Sequence, residues 1–260
     1  MRGWLNNENL TLNNTIYLPY PLNASALMVG LNLQWGQNIN TSYDCSGAAL
    51  LLWECNSTTV GDTGFSPCGC SDSDTTAVAI GSDEAITTGS CVFNDATADG
   101  QDYYTLDGTD LFTPASFTVF VRFEVVSWAN SAHLFRVFGS ATDGAFVMLT
   151  SNNDLKGVYI GDSASEDVLL TGNAVSTGVE YIVRYRGKQG EAGNDHQITL
   201  FSTILAELDD TENDDDLAAF ATAPGADDFK VGNNTVNANS HIKIKYIHSY
   251  TGYLTTDPVL

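Results

Sequence analysis

Between residues 116 and 128 the chain reads Ser-Phe-Thr-Val-Phe-Val-Arg-Phe-Glu-Val-Val-Ser-Trp, with Phe117, Val119, Val121, Phe123 and Val125 on every second position. Thr118, Arg122 and Glu124 lie between them. Alternate side chains of a strand point to opposite faces, so this run buries one face and leaves the other partly wet. Its β-branched and aromatic content predicts a central strand of a large antiparallel sheet. Residues 26–35 form the first expected strand, and a short apolar run follows at 48–53. Val78, Ile80, Ile86, Val92 and Phe93 mark weak strands, and a strand from Tyr103 ends in an Asp107-Gly108 turn. Further strands are expected at 134–138, 145–150 and 155–160, the last two joined by Ser151-Asn-Asn-Asp154. Residues 179–186 and 197–205 read as a pair, and 229–231 and 242–250 complete the set. The acidic, Ala-rich stretch 206–228 is expected to hold one helical turn near Leu217. No long helix and no internal repeat is predicted.

The order and spacing of these strands resemble the concanavalin A-like, laminin-G-like jelly roll found in virion surface proteins and lectins. Leu27-Met-Val-Gly30, followed by Asp44-Cys-Ser-Gly47, is similar to that family's opening strand and Asp-x-Ser-Gly turn. Tyr104-Thr-Leu-Asp-Gly108 with Phe117-Thr-Val-Phe-Val121 is similar to the strand pair that follows. Residues 181–186 with 196–205 resemble its long hairpin, and 242–254 its closing strand. The resemblance implies an all-β fold, a two-sheet antiparallel jelly-roll sandwich over residues 25–260. It leaves 1–24 as an extended N-terminal attachment arm and about 54–100 as a Cys-rich loop insertion. It also implies carbohydrate or protein binding at loop ends or on the concave face, sometimes with calcium.

Composition narrows the partners. With 43% hydrophobic and 10% aromatic residues the chain is globular. Its 32 acidic and 10 basic residues leave a net charge of −22, which would repel a phosphate backbone, so no nucleic-acid partner is expected. The acidic residues are mostly Asp and only five are balanced by Lys, which suits a marine or halophilic setting where salt screens self-repulsion beyond about 10 Å. The start, Met-Arg-Gly-Trp, lacks the apolar core of a signal peptide, and no apolar run reaches the roughly eighteen residues that would span a membrane. A start that reads like a cytosolic initiator on a chain of extracellular composition is expected of a virion surface protein, or of a secreted protein whose leader is not part of this sequence; the virion is the preferred expectation. Trp4, Leu5, Leu10, Leu12, Ile16 and Leu18 suit an arm that adds a strand to other virion proteins or to copies of itself.

Candidate chemistry is sparse. Glu207-Leu-Asp-Asp-Thr-Glu212 fits the Glu-x-Asp-x-x-Glu spacing that supplies nucleophile and acid in the laminarinase-type β-glucanases the fold resembles. Here the motif runs straight into Glu212-Asn-Asp-Asp-Asp216, which reads as a solvated loop, so no enzymatic activity is expected. Glu207, Asp209 and Glu212 carry the β-glucanase alternative. Asp209, Asp210 and Asp214 are hard-oxygen candidates for calcium, against the plainer reading of a screened loop. Cys45, Cys55, Cys68, Cys70 and Cys91 crowd the first third, an odd number. Two disulfides stapling the 54–100 loop are the leading expectation. Buried free thiols and a four-thiolate zinc site are the alternatives, although Cys68-Gly-Cys70 lacks the usual two-residue gap. His133, His196, His241 and His248 are scattered, and Trp35, Trp53, Trp128, Tyr103, Tyr104 and Tyr159 suit a core better than sugar platforms. The expected function is a non-enzymatic capsid or tail decoration protein that binds host-surface glycans, with a secreted lectin module as the alternative.

Overall fold

The computed structural model describes residues 49–55, 58, 77–81, 84–87, 89–94, 102–127, 131–172, 174–190, 195–213, 217–233 and 240–255. All belong to one compact unit, Tyr43–Leu260. The arm expected at 1–24 and the strand expected at 26–35 lie outside the described residues.

The elements are β1 (Ala49–Glu54), β2 (Val78–Ile80), β3 (Glu84–Thr87), β4 (Ser90–Asn94), β5 (Asp102–Leu106), a single helical turn α1 (Gly108–Leu111), β6 (Ser116–Ser127), β7 (Ala132–Ser140), β8 (Asp143–Leu149), β9 (Leu155–Gly161), β10 (Ala164–Leu170), β11 (Glu180–Lys188), β12 (His196–Ser202), β13 (Glu207–Asn213), β14 (Phe229–Asn233) and β15 (His241–Thr251). They form an all-β sandwich. An eight-stranded sheet runs β13-β12-β11-β6-β15-β4-β3, with β1 also on β15, and a seven-stranded sheet runs β10-β9-β8-β7-β14-β5-β2.

The strand β6 takes the central position its alternation predicts. It pairs antiparallel with β11 on one side and β15 on the other. Phe117, Val119, Val121, Phe123 and Val125 are fully buried between the sheets. Each contributes roughly 2 kcal/mol from the area it removes from water. Aromatic rings bridge the two layers: Trp53 meets Tyr104 edge-on at 5.7 Å, and Phe117 stacks on Tyr159 at 6.0 Å. Gly157 on β9 leaves room for this packing, since a Cβ there would stand 2.5 Å from the Tyr185 ring. The far edge of β15 is divided, with β4 opposite its first half, β1 opposite its second, and Lys245 bulged between.

Several local expectations are corrected. The strand β10 was hidden because its inward apolar residues, Val168 and Leu170, come only at its end, behind Ser165, Glu166 and Asp167. It is entered through Asp162 and Ser163, both at positive φ (46° and 69°), the backbone that a two-residue hairpin of primed type requires. The strand expected over 197–205 stops at Ser202, and Ile204 and Leu205 occupy the following turn. Residues 207–213 are a paired edge strand, so the solvated loop expected at 212–216 does not begin at Glu212; residues 214–216 lie outside the described residues. The acidic side chains of β13 are a usual way to discourage further pairing at a sheet edge. No helical turn forms at Leu217, which is extended, buried and bridged to Gln189. The strand from Tyr103 ends at Leu106 as expected, and the turn at Asp107-Gly108 is the start of α1, which the Asp107 side chain caps by accepting from the Thr109 N–H at 2.9 Å.

One buried carboxylate locks the loops at an end of the sandwich. Asp143, fully buried, accepts from the backbone N–H groups of Ala221 (2.9 Å), Asp162 (3.2 Å) and Thr222 (3.2 Å) and from the Ser140 hydroxyl (2.7 Å). Burial alone would raise its pKa, but these hydrogen bonds outweigh burial and hold it below the ordinary 3.8.

Candidate functional site on the outer face of the eight-stranded sheet

The carboxylates singled out from the sequence do not assemble into a catalytic pair. Glu207 stands opposite Phe201, on the outer face, and Glu212 pairs with Gln197 further along the strand. A bulge after Leu200 puts Asp209 opposite Leu200, whose side chain belongs to the inner face. Glu207 and Glu212 are five positions apart, about 16 Å along a strand, whereas retaining hydrolysis needs carboxyls roughly 5–5.5 Å apart. Asp209 and Asp210 are exposed, Asp214 lies outside the described residues, and among the described residues no cluster of three metal-ligating side chains occurs. Cys55 and Cys91 are buried free thiols, while Cys45, Cys68 and Cys70 lie outside the described residues.

The structure instead gathers the scarce cations. Of the ten Lys and Arg residues, Arg122, Arg184, Arg186, Lys188, Lys243 and Lys245 all lie on the outer face of the eight-stranded sheet. Arg136, Lys156 and Lys230 lie on the outer face of the other sheet. In a chain of net charge −22, six of the ten cations lie on this one face. Register explains the gathering. Arg122 on β6, Ile182 on β11 and Tyr246 on β15 form one cross-strand row, and Phe120, Arg184 and His248 form the next.

Within this face Glu180 is held between two cations. Its Oε1 accepts from the Arg122 Nε and its Oε2 from the Lys245 Nζ at 2.7 Å. Burial would raise the Glu180 pKa, but Lys245 and Arg122 more than offset it and keep the carboxyl below its usual range. Beside this triad opens a cleft of about 180 Å³ lined by Glu54, Cys55, Gly89, Arg122, Lys245 and Tyr246. Among the described residues nothing engages the two terminal nitrogens of Arg122, whose side chain is one-third exposed. They form the planar fork that suits a carboxylate.

The neighbouring rows are closed by residues 252–255, which cross the face as a strap. Gly252 N–H donates to the Ser116 carbonyl at 2.8 Å, and Thr118 Oγ1 donates to the Gly252 carbonyl and accepts from Leu254 N–H. Beneath the strap Arg184 donates to Gln197, Thr199 and the Thr255 carbonyl, and Arg186 donates to Gln197 and the Leu254 carbonyl. The Tyr253 ring covers Arg186 at 4.0 Å. Burial, then the charge of Arg186, lowers the Arg184 pKa to about 10. The sequence signal for this face was the two-residue spacing of Arg184, Arg186 and Lys188 and of Lys243 and Lys245, which puts basic groups on one side of a strand. Sequence reasoning passed over it.

No protein-family model matches the chain, and no curated protein matches it. Similarity to solved structures is at the level of fold. The binding domain of botulinum neurotoxin DC in complex with SialylT superposes with a TM-score of 0.54 at 12% identity, covering 82% of this chain and 50% of that one. The botulinum neurotoxin type G receptor binding domain gives 0.52 at 11% identity, covering 81% and 49%. This establishes the β-sandwich and nothing finer. The chain spans about half the length of these neighbours.

Proposed function

We propose that this protein is a non-enzymatic glycan-binding β-sandwich of the concanavalin A-like, laminin-G-like kind, which takes an acidic sugar in the cleft beside Arg122 and Lys245. The observation that carries this reading is the pair Arg122 and Lys245 lining one cleft in a strongly acidic chain, with the two terminal nitrogens of Arg122 engaged by none of the described residues. Arg122 and Lys245 would hold a sugar carboxylate, while Glu54 offers an acceptor to sugar hydroxyls. Among the fold neighbours are a receptor binding domain and a binding domain in complex with SialylT, which agrees with a recognition role without assigning a ligand to this chain. Titration with sialyl-terminated and matching neutral galactose-terminated oligosaccharides tests the proposal. We expect binding of the acidic sugar, weakened at least tenfold by Arg122→Ala and less by Arg122→Lys. Equal affinity for the neutral sugar, or an unaffected Arg122→Ala, would overturn it.

The wider proposal places the module on a virion surface, attached through residues 1–24 to other virion proteins or to copies of itself. The acidic, Asp-rich composition and the apolar residues of that segment support it. Mass spectrometry of purified particles should find the chain in many copies. Its absence from particles, with glycan binding intact, would leave a secreted lectin module.

A further inference from the structure

Two thiols meet where β1 and β4 abut along β15. Glu54 stands opposite Tyr246, the Cys55 N–H donates to the Lys245 carbonyl at 2.8 Å, and Cys91 stands opposite Ile244. The two cysteines therefore sit against neighbouring positions of one strand, on the same edge. Both side chains turn into the core, both are fully buried, and the thiols lie within hydrogen-bonding reach of each other. One to two steps along a strand is about 3.3–6.6 Å, and disulfide-bonded residues have Cα atoms about 4.4–6.8 Å apart. Among the described residues no ladder joins β1 to β4, and both pair with β15.

We propose that Cys55 and Cys91 are a disulfide site, closed by exchange with a low-molecular-weight disulfide such as oxidised glutathione. One cysteine thiolate attacks a glutathione sulfur, forming a mixed disulfide and expelling one glutathione thiolate. The second cysteine thiolate then attacks the protein-side sulfur, forming the Cys55–Cys91 bond and expelling the other glutathione. The two cysteines lose two electrons in all, the oxidised glutathione gains them, and the thiol protons end on the two reduced glutathiones. Burial, with Cys55 alongside, pushes the Cys91 thiol well up, so the exchange belongs to folding, before the sandwich closes. The bond staples the divided edge of β15 and closes residues 55–91 into a loop.

The test uses the full chain refolded in a glutathione redox buffer, then alkylated and digested without reductant. Trypsin is useless here, because no Lys or Arg lies between Arg2 and Arg122 and all five cysteines stay on one peptide. Cleavage after Glu54, Phe65 and Glu84 separates Cys55, the Cys68/Cys70 pair and Cys91. We expect a cross-linked species joining the Cys55 and Cys91 peptides. Phosphine reduction should lower the Tm by about 10 °C, and a Cys55→Ala variant should lose that sensitivity. Alkylation of both cysteines, or Cys91 linked to another partner, would sink the proposal. The peptide map decides the matter even if the variant fails to fold.

Discussion

Replacing Asp143 by Asn removes one charge and changes almost no volume, so it isolates what the buried carboxylate contributes. Five donors converge on it: three backbone N–H groups from the segments around Asp162 and Ala221, and the hydroxyls of Ser140 and Thr142. An amide keeps one accepting oxygen and turns an NH2 group towards donors at the other. At least two bonds to a charged acceptor are lost, and with about 1.5 kcal/mol or more for each, the expected cost is about 3 kcal/mol. For a domain of this size that corresponds to a Tm lower by roughly 6–12 °C. Folding depresses this pKa below 3.8, so the carboxylate's contribution is complete above that value and is lost as pH falls through the folded value. Urea unfolding, followed through the buried Trp53, should therefore show the widest gap between the two proteins near neutral pH and a narrowing gap below about pH 4. A gap absent at neutral pH, or undiminished in acid, would refute the reasoning.

Other outcomes follow from the same geometry. Phe123→Ala, in the fully buried row of β6, should cost about 3–5 kcal/mol in urea unfolding; a cost below 1 kcal/mol would remove β6 from the core. Gly139→Ala places a Cβ 1.8 Å from the Thr222 carbonyl oxygen, and should depress the Tm or the soluble yield sharply. Burial, then the charge of Arg136, pushes the His133 pKa down to about 3, so the neutral ring's contribution is complete above the ordinary 6.5 and is lost as pH falls towards 3. Stability of His133→Phe should be flatter across that window, measured by thermal melts at several pH values. Glu207→Gln, on an exposed edge, should change stability by less than about 0.5 kcal/mol, and neither it nor the parent chain should release sugar from laminarin.

Much of the sandwich was legible where burial is one-sided and the period is local. The β6 run, the 145–160 hairpin and the closing strand announced themselves because alternate apolar residues face one core. The period failed where a strand had little core to face. β13 is acidic at most positions and β10 opens on Ala164, Ser165, Glu166 and Asp167, and only their pairing with β12 and β9 makes them strands. The Glu207 motif misled for a related reason: spacing along a strand predicts a shared face only if no bulge intervenes, and one does.

By itself the sequence determined the all-β class and the central place of β6, since alternation is a property of neighbouring residues. Only the tertiary structure decided which residues share a surface. Arg122, Glu180 and Lys245 come from three strands widely separated in the chain, and Cys55 reaches Cys91 only because both of their strands dock on β15. Cross-strand register is set by the packing of the whole sandwich, and no local pattern encodes it.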